Sequence, residues 1–357
     1  MQPITRAVPR LGQSHRTTLA LAALLLCACG SRTGLKRLGA TPPDDGAIAD
    51  LSRRDITTDV GFDTRLPACS CRGAALLSED EGAPSAIAVD DTHVYWASRG
   101  SDCSSGEIRR VRKCGGAVEV IAKGQPSPNA IALDAARVYF YNGCGSGILR
   151  SVAKSGGPLR TYPIKVEDSG RALAVGSDDI YFSDYGLLRI AKDGSGAQVA
   201  VEPNYYVYAV AADARGAVWM GPGRGASSFY GVLAYRPGDA APTKLASPTG
   251  VGNALAIDAD AVYFGASGGI ARVARSGGDA VAVAAGPSWR IAVDDAHVYW
   301  TDGFAGGGGY KVYKAPKSGG ERSLVASGDG AYVDLAVDDR CVYVANLYGR
   351  QIRSFPK

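Results

Sequence analysis

The chain is poor in the residues that carry metal and acid–base chemistry: of 357 residues, three are histidine and two are methionine. His15 falls in an N-terminal segment of special composition, so only His93 and His297 remain for the body of the protein, too few for a histidine-built metal centre. There is no surplus of charge of one sign. The 39 Lys and Arg face 35 Asp and Glu, and setting aside the three arginines of residues 1–28 leaves 36 against 35. This balance excludes the basic footprint of a nucleic-acid partner and any broad attraction to anionic lipid. Glycine-free windows longer than 19 residues are also lacking. The 47 glycines punctuate the chain at short intervals, which argues against an all-α fold, and tight turns are expected throughout.

The first residues read as an export signal. Arg6, Arg10 and Arg16 precede an apolar run, Leu19 to Leu26, that is too short to span a bilayer as a stable helix. The run ends Leu26-Cys27-Ala28-Cys29-Gly30, which resembles the lipobox of bacterial lipoproteins. The resemblance implies that Cys29 is lipidated and becomes the first mature residue; Leu26 is too bulky for cleavage before Cys27. From Gly30 to Leu66 the chain is polar, with Phe62 its only aromatic residue, and cannot bury a core. As a flexible tether it has a root-mean-square span of roughly 30 to 36 Å. The expected organisation is a lipoprotein signal peptide over 1–28, a tether over 29–66 and a globular domain over 67–357. The protein is then anchored in the cell envelope, at the periplasmic face or outer surface of the outer membrane, and touches the membrane through its lipid alone.

The domain is a repeat. Ile87-Ala88-Val89-Asp90, a short turn and Val94-Tyr95-Trp96 form a unit whose copies begin again at Ile131, Leu173, Val210, Leu255, Ile291 and Leu335. Intervals of 36 to 45 residues between copies are those of β-propeller blades. Each period holds four strand signals: the Ala-containing run (strand a), the Val-aromatic run (strand b), a third run such as Ile108 to Val111 (strand c), and a strand d reached through glycine turns such as Lys113-Cys114-Gly115-Gly116. The last copy has only three strands. The unclaimed strand at Ala74 to Ser78 is expected to complete it, removing an open edge. The prediction is an all-β, seven-bladed β-propeller of four-stranded antiparallel blades, closed by an N-terminal strand in the last blade.

Tyr299-Trp300-Thr301-Asp302 reproduces a YWTD signature, and Tyr95-Trp96-Ala97-Ser98 and Tyr181-Phe182-Ser183-Asp184 depart from it. From about Ala74 to Phe355 the chain therefore resembles the YWTD/NHL-like propeller group. YWTD receptor domains have six blades, so the likeness supports the blade pattern and not a receptor role.

Repeated residues belong to the scaffold. The aligned alanines (88, 132, 174, 211, 256, 292, 336) suit the crowded inner strand; the strand-b aromatics Tyr95, Tyr139, Tyr181, Trp219, Tyr263, Tyr299 and Tyr343 suit inter-blade packing; and the aspartates closing strand a in six copies suit turns. Recognition is sought where copies differ. Two residues before each strand-a aliphatic stand Ser85, Asn129, Arg171, Tyr208, Asn253, Trp289 and Val333, a varied ring at the upper channel mouth. Enlarged b–c loops on that face add Arg224, Phe229, Tyr230, Phe304 and Tyr310 as anchors. The expected function is a non-enzymatic scaffold for a protein or glycan, with no catalytic residue, metal or cofactor assigned. The alternative is a metal-dependent hydrolase or lyase like the lactonase and streptogramin-lyase propellers, with Asn129, Asn253, Glu167, Asp168 and Asp334 around one ion.

Six cysteines remain after Cys27 and Cys29, an even number in an exported chain. Cys103 and Cys144 both lie in b–c loops of adjacent blades and are expected to pair. Cys69 and Cys71, beside the closing strand, are expected to bond Cys114 and Cys341 on the lower face, in either order.

Overall fold

Alternating and continuous apolar runs have different fates in this chain, and burial separates them. Strand b of blade 1 (His93–Ser98) is buried over five successive residues, whereas strand c (Gly106–Arg112) alternates between buried and partly exposed positions. A strand buried on both faces is one sandwiched between neighbouring sheets. The computed structural model describes residues 71–79, 82–145, 147–166, 172–203, 206–222, 230–248, 252–266, 268–302, 309–330 and 333–357, all within the unit Thr64–Lys357. The signal segment, Cys29, the tether and Cys69 lie outside the described residues.

Seven four-stranded antiparallel sheets are present, six of them formed from consecutive strands. The seventh takes strands a to c from Val333–Val337, Cys341–Asn346 and Gln351–Pro356, and its outer strand from Ala75–Ser78. Ala75 stands opposite Ser354 and Leu76 opposite Arg353, with a bulge before Ser78 meets Ile352. The protein is thus a seven-bladed β-propeller whose ring is closed by its N-terminal strand. The c–d turns use glycine where only glycine is unstrained: Gly115 and Gly116 have φ of 80° and 124°.

The core lies between blades, in seven clusters, one per junction. Tyr95 of blade 1 packs with Phe140 of blade 2, Tyr139 with Phe182, and Tyr263 with Trp300; Tyr343 of blade 7 packs with Trp96 of blade 1. Trp96, Trp219 and Trp300 are fully buried, and truncating any of them to alanine should cost about 3–5 kcal/mol. Blade 4 corrects the aromatic alignment. Val218 stands opposite Ala211, where the other blades have tyrosine opposite alanine, and Trp219 stands opposite Val210 as Trp96 stands opposite Ile87. A one-residue offset reverses the face, so Trp219 packs back onto Tyr181 of blade 3 and Val218 faces Phe264 of blade 5.

The strand-a aspartates do more than shape turns. Asp90 accepts the amides of Thr92 and His93, both at 2.8 Å, and the Tyr95 hydroxyl at 3.0 Å. Lys154 of blade 2 then reaches across to it at 2.8 Å. The same inter-blade pair recurs as Lys192–Asp134 (2.9 Å), Arg275–Asp213 (3.1 Å), Lys317–Asp258 (2.6 Å), Lys357–Asp294 and Lys113–Asp338 (2.6 Å). Six of the seven junctions are riveted in this way. Gly176 occupies the aspartate position of blade 3, so the junction between blades 3 and 4 lacks the pair. Burial opposes ionisation of these carboxyls, but the lysine and the turn amides outweigh it, bringing Asp134 and Asp258 down to about 2. Burial and the neighbouring carboxylate push the tyrosine hydroxyls up, to about 12 for Tyr95 and Tyr263.

Two disulfides reinforce the ring. Cys103–Cys144 joins the b–c loops of blades 1 and 2, and Cys71–Cys341 fastens the chain just before the closing strand to blade 7; in each the Cα atoms are 5.7 Å apart. Cys114 is also disulfide-bonded.

Candidate functional site

Strand a of every blade runs from the d–a loop to the a–b turn, so the residues just before each strand a meet at one end of the central channel. There they line a cavity of about 720 Å³. Of the ring expected from the sequence, Ser85, Asn129, Tyr208, Asn253 and Trp289 all face it. Arg171 lies outside the described residues, as do Arg224, Phe229 and Phe304 of the long loops. Tyr230 opens strand c of blade 4 (Tyr230–Tyr235). Tyr310 is not a surface anchor: it is buried among Tyr299, Leu335 and Val344 between blades 6 and 7, because it begins strand c (Tyr310–Pro316) with its side chain turned inward.

The cavity wall is built by specific local contacts. The Ser85 hydroxyl donates to the Pro128 carbonyl at 2.8 Å, tying blade 1 to blade 2. Asn129 is accommodated because Gly143 lacks a side chain; a Cβ there would stand 2.3 Å from Asn129 Nδ2. Tyr208 is held on the rim by its amide, which donates to the Met220 carbonyl, and the residue is 41% exposed.

Four charged or aromatic lining residues stood outside the expected ring: Asp184, Tyr206, Arg290 and Asp334. Arg290 and Asp334 form an ion pair in the cavity wall, with Arg290 Nε 3.2 Å from Asp334 Oδ1. The guanidinium also donates to the Trp289 carbonyl and lies 5.3 Å from the centre of the Trp289 ring. The other carboxylate oxygen of Asp334 accepts the Ile87 amide at 3.0 Å. Blades 6, 7 and 1 are thereby linked through one carboxylate. Burial pushes the Asp334 carboxyl above its usual range, opposed by Arg290 and by the amides of Ile87 and Leu335. The sequence signal for this pair was its place, one residue beyond the ring position on inner strands otherwise occupied by apolar residues.

Asn129, Asn253 and Asp334, three of the groups required for a metal-dependent site, share the cavity; Glu167 and Asp168 lie outside the described residues. Among the described residues no three His, Cys, Asp or Glu side chains stand close enough together to hold a metal ion. His93 and His297 sit at a–b turns on the opposite face, where His93 Nδ1 is 2.7 Å from the Thr92 hydroxyl.

Neither a protein-family model nor a curated protein matches the chain. Solved structures do. The WD40 β-propeller domain of Doa1 is similar with a TM-score of 0.60 and 15% identity, over 80% of this chain and 98% of that one. The computationally designed Ika8 protein is similar with a TM-score of 0.53 and 16% identity, over 79% and 98%. The extracellular domain of BT4673 from B. thetaiotaomicron is similar with a TM-score of 0.57 and 11% identity, over 78% of this chain and 39% of that one. These likenesses establish the propeller fold. At such identities they carry no ligand with them.

Proposed function

We propose that the protein is an exported lipoprotein of a Gram-negative envelope, its propeller of the YWTD/NHL-like kind, which works as a non-enzymatic scaffold holding a protein or glycan at the upper channel mouth. The observation that carries this reading is convergence. Blades that repeat one another in core and turn residues differ at the positions before strand a, and Ser85, Asn129, Tyr208, Asn253 and Trp289 from five of them face one cavity. Two disulfides support an oxidising compartment, and the lipobox-like Cys29 supports the anchor. Domains of this fold bind partners in other settings, the Mitotic Checkpoint Complex among the structures of similar fold, which agrees with a scaffold role here.

The test is affinity capture from detergent-solubilised envelopes with the full chain, beside Trp289→Ala and Asn253→Ala variants shown by circular dichroism to be folded. A component retained by the parent and lost with both variants is the expected result. Capture that is indifferent to both variants would move the binding surface away from the cavity.

A further inference from the structure

A second depression of about 1280 Å³ lies between blades 2 and 3, and Asp184 and Tyr206 border both it and the channel cavity. Its origin is local. The outer strand of blade 2 is only Arg160–Thr161, against seven residues, Glu119–Gln125, in blade 1. Beyond Thr161 the Tyr162 amide still bonds Leu149, and the chain then leaves its own sheet. Lys165 is tied instead to Gln198 of blade 3: the Lys165 amide donates to Gln198 Oε1 at 2.7 Å, and Gln198 Nε2 donates to the Lys165 carbonyl at 2.8 Å. This bridge floors a groove that a full outer strand would have filled.

The wall between cavity and groove is low. Strand b of blade 3 ends at Ser183 and strand c starts at Leu187, leaving a turn of three residues, Asp184, Tyr185 and Gly186; the corresponding connection in blade 1, between Ser98 and Gly106, has seven. Tyr185 stands at the tip of this turn, with its ring 6.4 Å from that of Tyr206 and inclined at 66°. Gly221 lets the Tyr206 backbone approach, since a Cβ there would lie 1.6 Å from the Tyr206 carbonyl oxygen. From the channel outward Tyr208, Tyr206 and Tyr185 are 41%, 43% and 36% exposed as residues. Among the described residues only one other tyrosine, Tyr348, is as open to solvent, and the remaining exposed large apolar side chains are aliphatic.

We infer that cavity and groove form one continuous site for a linear, neutral oligosaccharide, seated at the channel mouth on Trp289 and leaving over blade 3 along Tyr208, Tyr206 and Tyr185. This rests on the scaffold reading above and names its ligand class. A sugar ring has an apolar C–H face and a hydroxylated edge. Exposed aromatic rings match the face, and the amides of Asn129, Asn253 and Gln198 match the edge. At the channel mouth Arg290 and Asp334 pair with each other, and the groove is bordered by charges of both signs, Arg150, Lys165 and Asp184, so the site favours no single sign of charge. Ile148, Ile164, Val166 and Leu188 also line the groove, but Leu188 belongs to the core cluster and Ile164 and Val166 pack against it, so the choice of a sugar over a peptide rests on the exposed aromatic rim.

Calorimetry with the purified full chain in detergent tests this, using cellohexaose, chitohexaose and maltohexaose, the corresponding dimers, and decaproline as the peptide comparator. At least one hexamer should bind about tenfold tighter than its dimer, because the dimer occupies the channel mouth alone. Tyr185→Ala should weaken that hexamer about fivefold to tenfold and leave the dimer unchanged, and Tyr185→Trp should restore it. Trp289→Ala should weaken both lengths. Equal affinity for hexamer and dimer, or indifference to Tyr185→Ala, overturns the continuous path. Absence of binding by all three hexamers, or binding of decaproline in their place, overturns the glycan assignment, while cavity-dependent capture from envelopes decides separately whether the scaffold reading stands.

Discussion

Replacing Lys154 by methionine removes the cation that blade 2 extends to blade 1 while keeping most of the side chain's bulk. Asp90 is then left with the Thr92 amide and hydroxyl, the His93 amide and the Tyr95 hydroxyl, so it loses one donor of five. The two side chains are 17% and 20% exposed, which places the pair between a screened surface bridge and a buried one. The expected cost is about 1–2 kcal/mol, above most exposed pairs and below the 3–5 of a buried charge stripped bare. Asp90→Asn preserves an acceptor for the turn amides and so isolates the charge. The double-mutant cycle in urea at pH 7 should give a coupling of about 1 kcal/mol or more. The pH dependence has a definite sign. The Asp90 carboxyl is held well below its ordinary value, burial being outweighed by Lys154 and the turn hydrogen bonds. Its contribution is therefore complete above the ordinary carboxylate value near 4 and is lost as the pH falls towards the folded value. The stability lost on Asp90→Asn should be markedly smaller at pH 3 than at pH 7, because the unfolded carboxyl takes up its proton at about 4 while the folded one stays ionised. A coupling within about 0.3 kcal/mol of zero at pH 7, or an Asp90→Asn cost unchanged at pH 3, would refute the rivet.

Cys29→Ala should abolish metabolic palmitate labelling and release the protein from membranes; labelling that persists removes the lipobox assignment. Deleting residues through Ser78 exposes the edge of Gln351–Pro356 and should cause aggregation or a lowered melting temperature, whereas deleting only residues 30 to 65 should leave the melting temperature unchanged, as differential scanning calorimetry would show. Non-reducing peptide mapping should recover Cys71–Cys341 and Cys103–Cys144 together with a Cys69–Cys114 link, and a free thiol at Cys69 would contradict the last. Tyr139→Phe removes a hydroxyl that donates to Asp134 at 2.7 Å and should cost about 1 kcal/mol in urea unfolding, less if the phenol only fills space.

The blade count was legible because strands a and b carry their pattern within ten residues, and because glycine turns such as Gly115-Gly116 mark the hairpins. Trp219 was misaligned for a physical reason: aromatic identity drew it to the tyrosines, while the spacing from Asp213 puts Val218 there, and spacing governs which face a strand residue takes. The rivets were half visible. The aspartates and the Lys-x-Gly-Gly turns are both periodic, yet their contact joins different blades, and periodicity within one copy does not reveal what faces the next. The mouth ring was readable from the differences between copies. Arg290 escaped it, and Asp334 was read only as a group around an ion, because the two pair across blades; the groove escaped because it arises where the outer strand of blade 2 stops after Thr161 and the chain is tied to Gln198 instead.

The shared seventh blade imposes an order on biogenesis. Cys103 and Cys144 are 41 residues apart and can join as soon as two blades have formed, but Cys71 must wait for a partner 270 residues downstream. Until then the segment Ala75–Ser78 has no neighbour to pair with. It finds one only when Gln351–Pro356 arrives, so a chain stalled short of that point keeps a thiol and a strand edge on display. The Cys71–Cys341 bond then marks a finished ring, and a chain without it is one whose edge is still open to wrong partners.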